Sequence, residues 1–349
     1  MSTLATNAIT DASGGNTATI NSYTPTESNM AGRNRIINGD MRIDARNAGA
    51  STSVSAGATF YGVDRFAGFF GASATGSTTQ QASTAPAGFI NSFKFAVGTG
   101  ASSSSGQTAW IGQRIEGLNV ADLGWGTANA KTVTLSFYVY ASATGTYCVF
   151  LTNSAGDRSY VATYTISSAN TWEQKTITIA GDTSGTWLTT SGIGVSVRWD
   201  LGSGGSYNTA TTSAWQAGDY RNTSSQVNVI GTSSATFYIT GVQLEAGSVT
   251  PFEHRQYGQE LALCRRYYAG GDGYMTLHPL AADGSGGYYR SQVYFDTPMR
   301  AAPTVSLVSS VNIDGTQAIT TNKVGFYADG KANNAYCYSN DGFTRSAEL

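Results

Sequence analysis

The chain has 349 residues, a formal net charge of −2 and only 12% charged side chains, with 42 glycines and 20 tyrosines. The near-neutral charge excludes the basic footprint of a nucleic-acid binder, and no run of about 18 apolar residues exists to insert into a membrane as a helix. Aromatic content of 11% argues against disorder, and the glycine excess suits many short strands joined by tight turns, so an all-β protein of two or more domains is expected.

Residues 1–33, "MSTLATNAITDASGGNTATINSYTPTESNMAGR", have almost no hydrophobic period; only Leu4, Ile9, Ile20, Tyr23 and Met30 could bury. Such a segment orders only when something holds it, so it is expected to be an extended arm that docks to an assembly partner. The start lacks the basic residues and apolar run of a secretory leader. Cys148, Cys264 and Cys337 are odd in number and widely spaced, which suits synthesis in a reducing cytoplasm, with Cys148 and Cys264 as small buried residues.

Residues 34–250 read as about ten strands, beginning at "RIINGDMRI" and closing at "TFYITGVQLEAG". "KTVTLSFYVYAS" shows the alternation most plainly: Val133, Leu135, Phe137 and Val139 share one face, with Thr132, Thr134, Ser136, Tyr138 and Tyr140 on the other. Strands at this spacing, separated by Gly, Asn, Ser or Asp, predict a jelly-roll β-sandwich.

Residues 251–268 are a joint. Pro251 ends the last strand, and Leu261, Cys264 and Tyr268 fall on one face of a short linking helix, with Glu260 near its start and Arg265 and Arg266 near its end. Glu253, Arg255, Arg265 and Arg266 are expected to form ion pairs that hold domains or subunits together. Residues 269–349 alternate again and predict a smaller C-terminal β domain.

Catalytic patterns are missing. Asp64, Glu116, Asp200 and Asp219 are the carboxylates that could act on a sugar, but no spacing among them is diagnostic, and each reads as a turn residue or a surface charge. No GxSxG, HExxH or P-loop occurs, and His254 and His278 lack a ligand pattern. No enzyme, cofactor or catalytic residue is predicted.

The order "GRNRIINGDMRI", "VDRF", "TGVQLEAGSVTPFEHRQYGQELALCRRYY" and "PMRAAPTV", spanning roughly residues 33–303, resembles a family of phage tail-fibre and minor virion proteins. The middle region is more loosely similar to carbohydrate-binding jelly-roll modules. The resemblance implies a virion structural protein, often trimeric and often at a host-contacting tip. On it, the chain is expected to be a short tail fibre or receptor-binding protein: a homotrimer, joined to other virion proteins by its N-terminal arm and attaching the particle to host surface glycan. A capsid decoration or head-spike protein is the alternative, with a glycan-cleaving spike third.

Glycan contact needs ring faces. Trp187, Trp199, Tyr207, Trp215 and Tyr220 fall within residues 187–220, whose part from Leu201 to Tyr220 is a long loop. Trp187, Trp199, Tyr207, Trp215 and Tyr288 are the candidate carbohydrate-binding residues, with Tyr289, Tyr336 and Tyr338 near Tyr288 as part of a rival C-terminal surface. Against this stands the plainer reading that Trp199 buries in the core and Trp215 caps the sandwich edge. Sugar-binding jelly rolls often hold a structural calcium near their first and last strands, where Asn38, Asp40 and Glu245 would be the oxygen donors here; no ligand-dense loop supports one, and no metal is predicted.

Overall fold

In a computed structural model the described residues are 32–349 apart from 72–75, 271–274, 283–286, 309, 332–336 and 340–341. Residues 1–33, expected to form an extended arm, therefore lie almost wholly outside the described residues.

Thirteen strands build the sandwich. They are β1 (Thr52–Ser53), β2 (Thr59–Val63), β3 (Phe66–Phe70), β4 (Thr78–Ala82), β5 (Ser92–Ala96), β6 (Ala109–Glu116) and β7 (Val133–Ala141). There follow β8 (Gly145–Thr152), β9 (Arg158–Ile166), β10 (Glu173–Ile179), β11 (Ile193–Asp200), β12 (Trp215–Ala217) and β13 (Thr236–Ala246). One sheet has the order β1-β4-β5-β13-β7-β10, the other β12-β9-β8-β11-β6-β3-β2, and the strand pairs are antiparallel. This is the expected all-β jelly-roll sandwich. Val133, Leu135, Phe137 and Val139 of β7 are all fully buried, as their alternation requires. Opposite them lie Val149 and Leu151 of β8 and Val195, Val197 and Trp199 of β11.

The opening segment departs from its expectation. "RIINGDMRI" forms no strand; Asn38 and Met41 take φ of 59° and 58°, which break an extended run. The segment instead packs along β13. Asn34 Oδ1 accepts the Leu244 amide at 3.1 Å, and the Val242 amide donates to the Gly39 carbonyl at 2.9 Å. A Cβ on Gly39 would sit 2.2 Å from the Val242 carbonyl oxygen, so this approach demands glycine. "SQVNVIG" is also not a strand, although Val229 and Ile230 are buried as sandwich core.

The helix α1 spans Tyr257–Arg265. It stops before Tyr268, which pairs as a strand residue with Ser346. The buried helical face is therefore carried by Cys264, with Tyr267 just beyond the helix end. A second apolar core, around Met299, Val324, Phe326 and Phe343, lies among short antiparallel strands between Tyr268 and Ser346. Cys148, Cys264 and Cys337 are buried free thiols.

Charge at the joint is spent on fastening. Arg266 pairs with Glu116 of β6, Arg255 with Glu260, and Arg65 and Arg46 with Glu348 near the end of the chain. The Glu253 carboxylate accepts the amides of Gly32 and Asn34 at 3.2 and 2.8 Å, which pins these residues to the joint.

Candidate functional site

At one edge of the sandwich, the terminal strand of one sheet faces the terminal strand of the other. β12 pairs with β9, setting Trp215 opposite Tyr160 with rings 5.3 Å apart. The Trp215 indole donates at 2.7 Å to the carbonyl of Ala180, just past the end of β10. One side chain thus bridges the two edge strands.

Trp187 and Trp125 complete a cluster around it. Ring centres lie 5.1 Å apart for Trp187 and Trp215, 4.8 Å for Trp125 and Trp187, and 5.3 Å for Trp125 and Trp215, all edge to face. The loop carrying Trp187 is held by Asp182, which takes two bonds from Arg158 of β9, each 2.7 Å, and one from the Ser184 amide at 3.0 Å. Those Asp182 bonds hold the Arg158 guanidinium above its ordinary pKa. The three indole N–H groups are occupied, by Ser184, Ala180 and Lys131 carbonyls, so the rings are fixed in place.

Beside the cluster opens a cleft of about 190 Å³, lined by Val120, Ala121, Trp125, Thr127, Trp187 and Leu188. Its walls are mainly apolar. Trp125 is nearly buried and Trp187 half-buried, so Trp187 is the indole that retains exposed ring surface beside the opening.

The five sequence-derived candidates separate. Trp187 and Trp215 come together. Trp199 does not join them: it is wholly buried, its ring 5.2 Å from Phe137 in the middle of the sandwich, so no sugar can reach it and it is removed from the candidate surface. Its inward place follows from β11 alternation, which puts Val195, Val197 and Trp199 on the core side. Tyr207 lies on a different face with Arg221 Cζ 3.9 Å over its ring. Tyr288 sits in the strand Gly287–Tyr294, but its side chain lies outside the described residues, as does all of Tyr336. Trp125 and Tyr160 belong to the cluster and were not foreseen; the "GWG" setting of Trp125, an aromatic between loop glycines, was the available signal.

The paper candidates for acid–base chemistry have structural work. The buried Asp64 lies beside Arg46 at 4.0 Å, and burial pushes its pKa up to about 7. Glu116 is held by Arg266 and Tyr267, and Asp219 by Arg221. Asp200, also buried, accepts the amides of Gly202 and Ser203 at 2.9 Å and the side-chain amides of Asn222 and Gln226, which folds the long loop back on its root. Burial raises the Asp200 pKa in spite of those donors. The oxygen donors Asn38, Asp40 and Glu245 do not fit a calcium site. Asp40 pairs with Arg42, Glu245 Oε1 accepts the Thr250 amide at 2.8 Å, and Asn38 Oδ1 accepts the Ile43 amide at 3.0 Å.

No protein-family model matches the chain, and no curated protein matches it. Among solved structures, the enzymatically active domain of bacteriophage CBA120 tailspike protein 4 is similar at 12% identity and a TM-score of 0.32, over 61% of this chain and 21% of that one. The family 11 carbohydrate-binding module of Clostridium thermocellum Lic26A-Cel5E matches at 13% identity and TM-score 0.29, over 59% of this chain and 100% of the module. A putative sugar-binding protein of Bacteroides thetaiotaomicron matches at 17% identity and TM-score 0.31, over 62% and 100%. Likeness this low carries nothing about what this chain binds.

Proposed function

We propose that the chain is a phage virion structural protein whose sandwich attaches the particle to saccharide on the host surface. The carrying observation is the fixed tryptophan cluster: a half-buried Trp187 ring at the mouth of an apolar cleft, held in place by Asp182 and by its own bond to Ser184. Aromatic faces pack against the apolar faces of pyranose rings, and a ring held rigid loses little freedom on binding. The motif series from "NRIINGDM" to "CRRYY" supports the virion assignment and, within it, a short tail fibre. In this reading the arm docks to other virion proteins, the chain assembles as a homotrimer, and weak single sites act together by effective concentration.

The test is saccharide binding to the purified chain and to its Trp187→Ala variant, beside adsorption of particles carrying either. Binding that is lost in the folded variant, with slower adsorption, supports attachment. A chain that binds no saccharide on a broad array, with adsorption unchanged, favours a capsid decoration role, and release of reducing ends from a polymer would reassign it as a cleaving spike.

A further inference from the structure

The outward side of the seven-stranded sheet carries a row in which rings and guanidinium groups alternate, with the Trp110 and Phe150 rings themselves buried. Trp110 and Arg114 lie on β6, Phe150 on β8 and Arg198 on β11, and the loop after β11 brings Tyr207 and Arg221 beside them. The Arg198 Cζ is 4.4 Å from the Trp110 ring centre and 5.9 Å from that of Phe150. The Arg221 Cζ is 5.9 Å from Phe150 and 3.9 Å from Tyr207. In the ladder, Arg198 sits between Gly112 of β6 and Phe150 of β8. A Cβ on Gly112 would meet the Arg198 Cα at 2.7 Å and Cγ at 3.0 Å, so glycine at that place makes room for the arginine stem.

Arg198 is unlike the other fourteen arginines. Each of those reaches a carboxylate or a main-chain carbonyl; Arg114, for one, donates to the Leu349 oxygen. Among the described residues Arg198 has a single neutral acceptor, the Ser196 hydroxyl at 3.1 Å, and its Nε is buried without a partner. The charged groups that act on it are Arg114, Arg221 and Asp219, and Asp219 is already engaged by Arg221. Burial and the two like charges push its pKa down to about 9, which still leaves it cationic at neutral pH. A half-buried cation whose neighbouring carboxylate, Asp219, is already paired with another arginine is costly, and an anion arriving from solvent lowers that cost.

We propose that this row binds an acidic saccharide, the carboxylate of a uronic acid pairing with Arg198 and the sugar ring resting at the rim formed by Tyr207 and Tyr220. The inference rests on the reading of the chain as a saccharide binder, but it uses a different face from the Trp187 cleft. The flat fork of a guanidinium matches a carboxylate at two points. Tyr207 and Tyr220 are both half-buried, so each keeps some ring surface for the rest of the sugar.

The experiment titrates the full chain with trigalacturonate, with neutral galactotriose and with inorganic phosphate, then repeats the series on Arg198→Gln, Arg198→Lys and Trp187→Ala. Trigalacturonate is expected to bind, to weaken as salt rises, to lose about tenfold or more in affinity in R198Q, to recover in part in R198K and to be unchanged in W187A. Should R198Q fail to fold, the side-chain Nε–H resonance of Arg198 in the unaltered chain gives the same answer by shifting with trigalacturonate and not with galactotriose. Trigalacturonate affinity unaffected in R198Q, or galactotriose affinity that falls in R198Q as far as trigalacturonate affinity does, overturns the proposal while leaving the Trp187 reading standing. Phosphate binding as tight as trigalacturonate overturns the saccharide assignment in favour of a general oxyanion site. Loss of neutral-sugar binding in W187A with trigalacturonate unaffected supports two separate faces.

Discussion

Glu116 and Arg266 meet in a two-point ion pair, Nε to Oε2 at 3.0 Å and Nη2 to Oε1 at 2.6 Å, and the Tyr267 hydroxyl donates to the same carboxylate at 2.7 Å. Glu116 ends β6, and Arg266 follows the helix, so the pair fastens the C-terminal strands to the sandwich. The carboxylate is almost wholly buried while the arginine side chain is 30% exposed. Arg266→Ala leaves a buried negative charge with one donor and is expected to cost about 3 kcal/mol. Tyr267→Phe removes a single bond to a charged group and should cost about 2 kcal/mol or less. Denaturant melts of the two variants check the order; equal, negligible losses would show that the joint does not depend on this carboxylate.

Trp187 and Trp199 make a second pair of opposites. Trp199→Ala opens a cavity in the middle of the sandwich and should cost ~3–5 kcal/mol. Trp187→Ala removes a half-buried ring at the edge and should cost only about 1 kcal/mol, while abolishing saccharide binding at the cleft. Trp215→Phe keeps a ring but gives up the bond to Ala180, at about 1 kcal/mol. Thermal melts beside binding titrations separate the three effects. Neutral-saccharide binding retained in Trp187→Ala would remove the cleft from the function.

Much of this was legible in the chain. The alternation of β7 placed four core residues correctly, because a strand buried on one face must repeat every second residue. Two classes of feature were not. "RIINGDMRI" has the composition of a strand, but Asn38, Gly39 and Met41 bend it onto β13, a contact distant in sequence. β4, "TTQQA", is too polar to look like a strand, and it is one because Thr79 turns inward against its neighbours. The same limit applies to the site. Trp125, Trp187 and Trp215 come from three separate loops or edge strands, and contacts distant in sequence bring them together: β12 pairs with β9 to place Trp215, Arg158 of β9 holds Asp182 below Trp187, and the Gly126 amide donates to the Asp182 carbonyl beside Trp125.

Asp64 should give stability a distinctive pH dependence. Burial raises its pKa from 3.8 to about 7, with Arg46 pulling the other way. A carboxyl whose folded-state pKa is raised favours the protonated folded form. Its contribution is therefore complete below pH ~4 and is lost as pH rises through about 7. Asp64→Asn keeps the neutral shape at every pH. The melting temperature of the variant relative to the parent is expected to rise from pH 5 to about pH 7 and to level off above it. A difference that stays constant with pH would show that Asp64 remains ionised against Arg46.

Self-association is the next expectation. A charge-poor, glycine-rich and tyrosine-rich β surface is easier to reconcile with solubility when copies cover part of it, and closed symmetric assemblies are the rule for such contacts. Light scattering of the full-length chain at micromolar concentration should report about three times the monomer mass. A stable monomer there would count against the trimer and against avidity as the source of firm attachment.

Residues 1–31 are expected to carry docking to the particle and not the stability of the fold. Among the described residues, bonds at Gly32, Arg33 and Asn34 fix this part of the chain to the joint. The Gly32 and Asn34 amides donate to Glu253, and the Arg33 guanidinium donates to the Pro251 carbonyl at 2.7 Å. Deleting residues 1–30 spares every one of these groups. The truncated chain should therefore melt within about 0.5 kcal/mol of the parent, as changes away from such contacts do, and bind saccharide as before, yet fail to enter particles. Occupancy on purified particles, measured against a protein of fixed copy number, decides the matter. Normal occupancy of the truncated chain would move the docking surface into the folded part, and Glu253→Ala would then be the variant to examine for release.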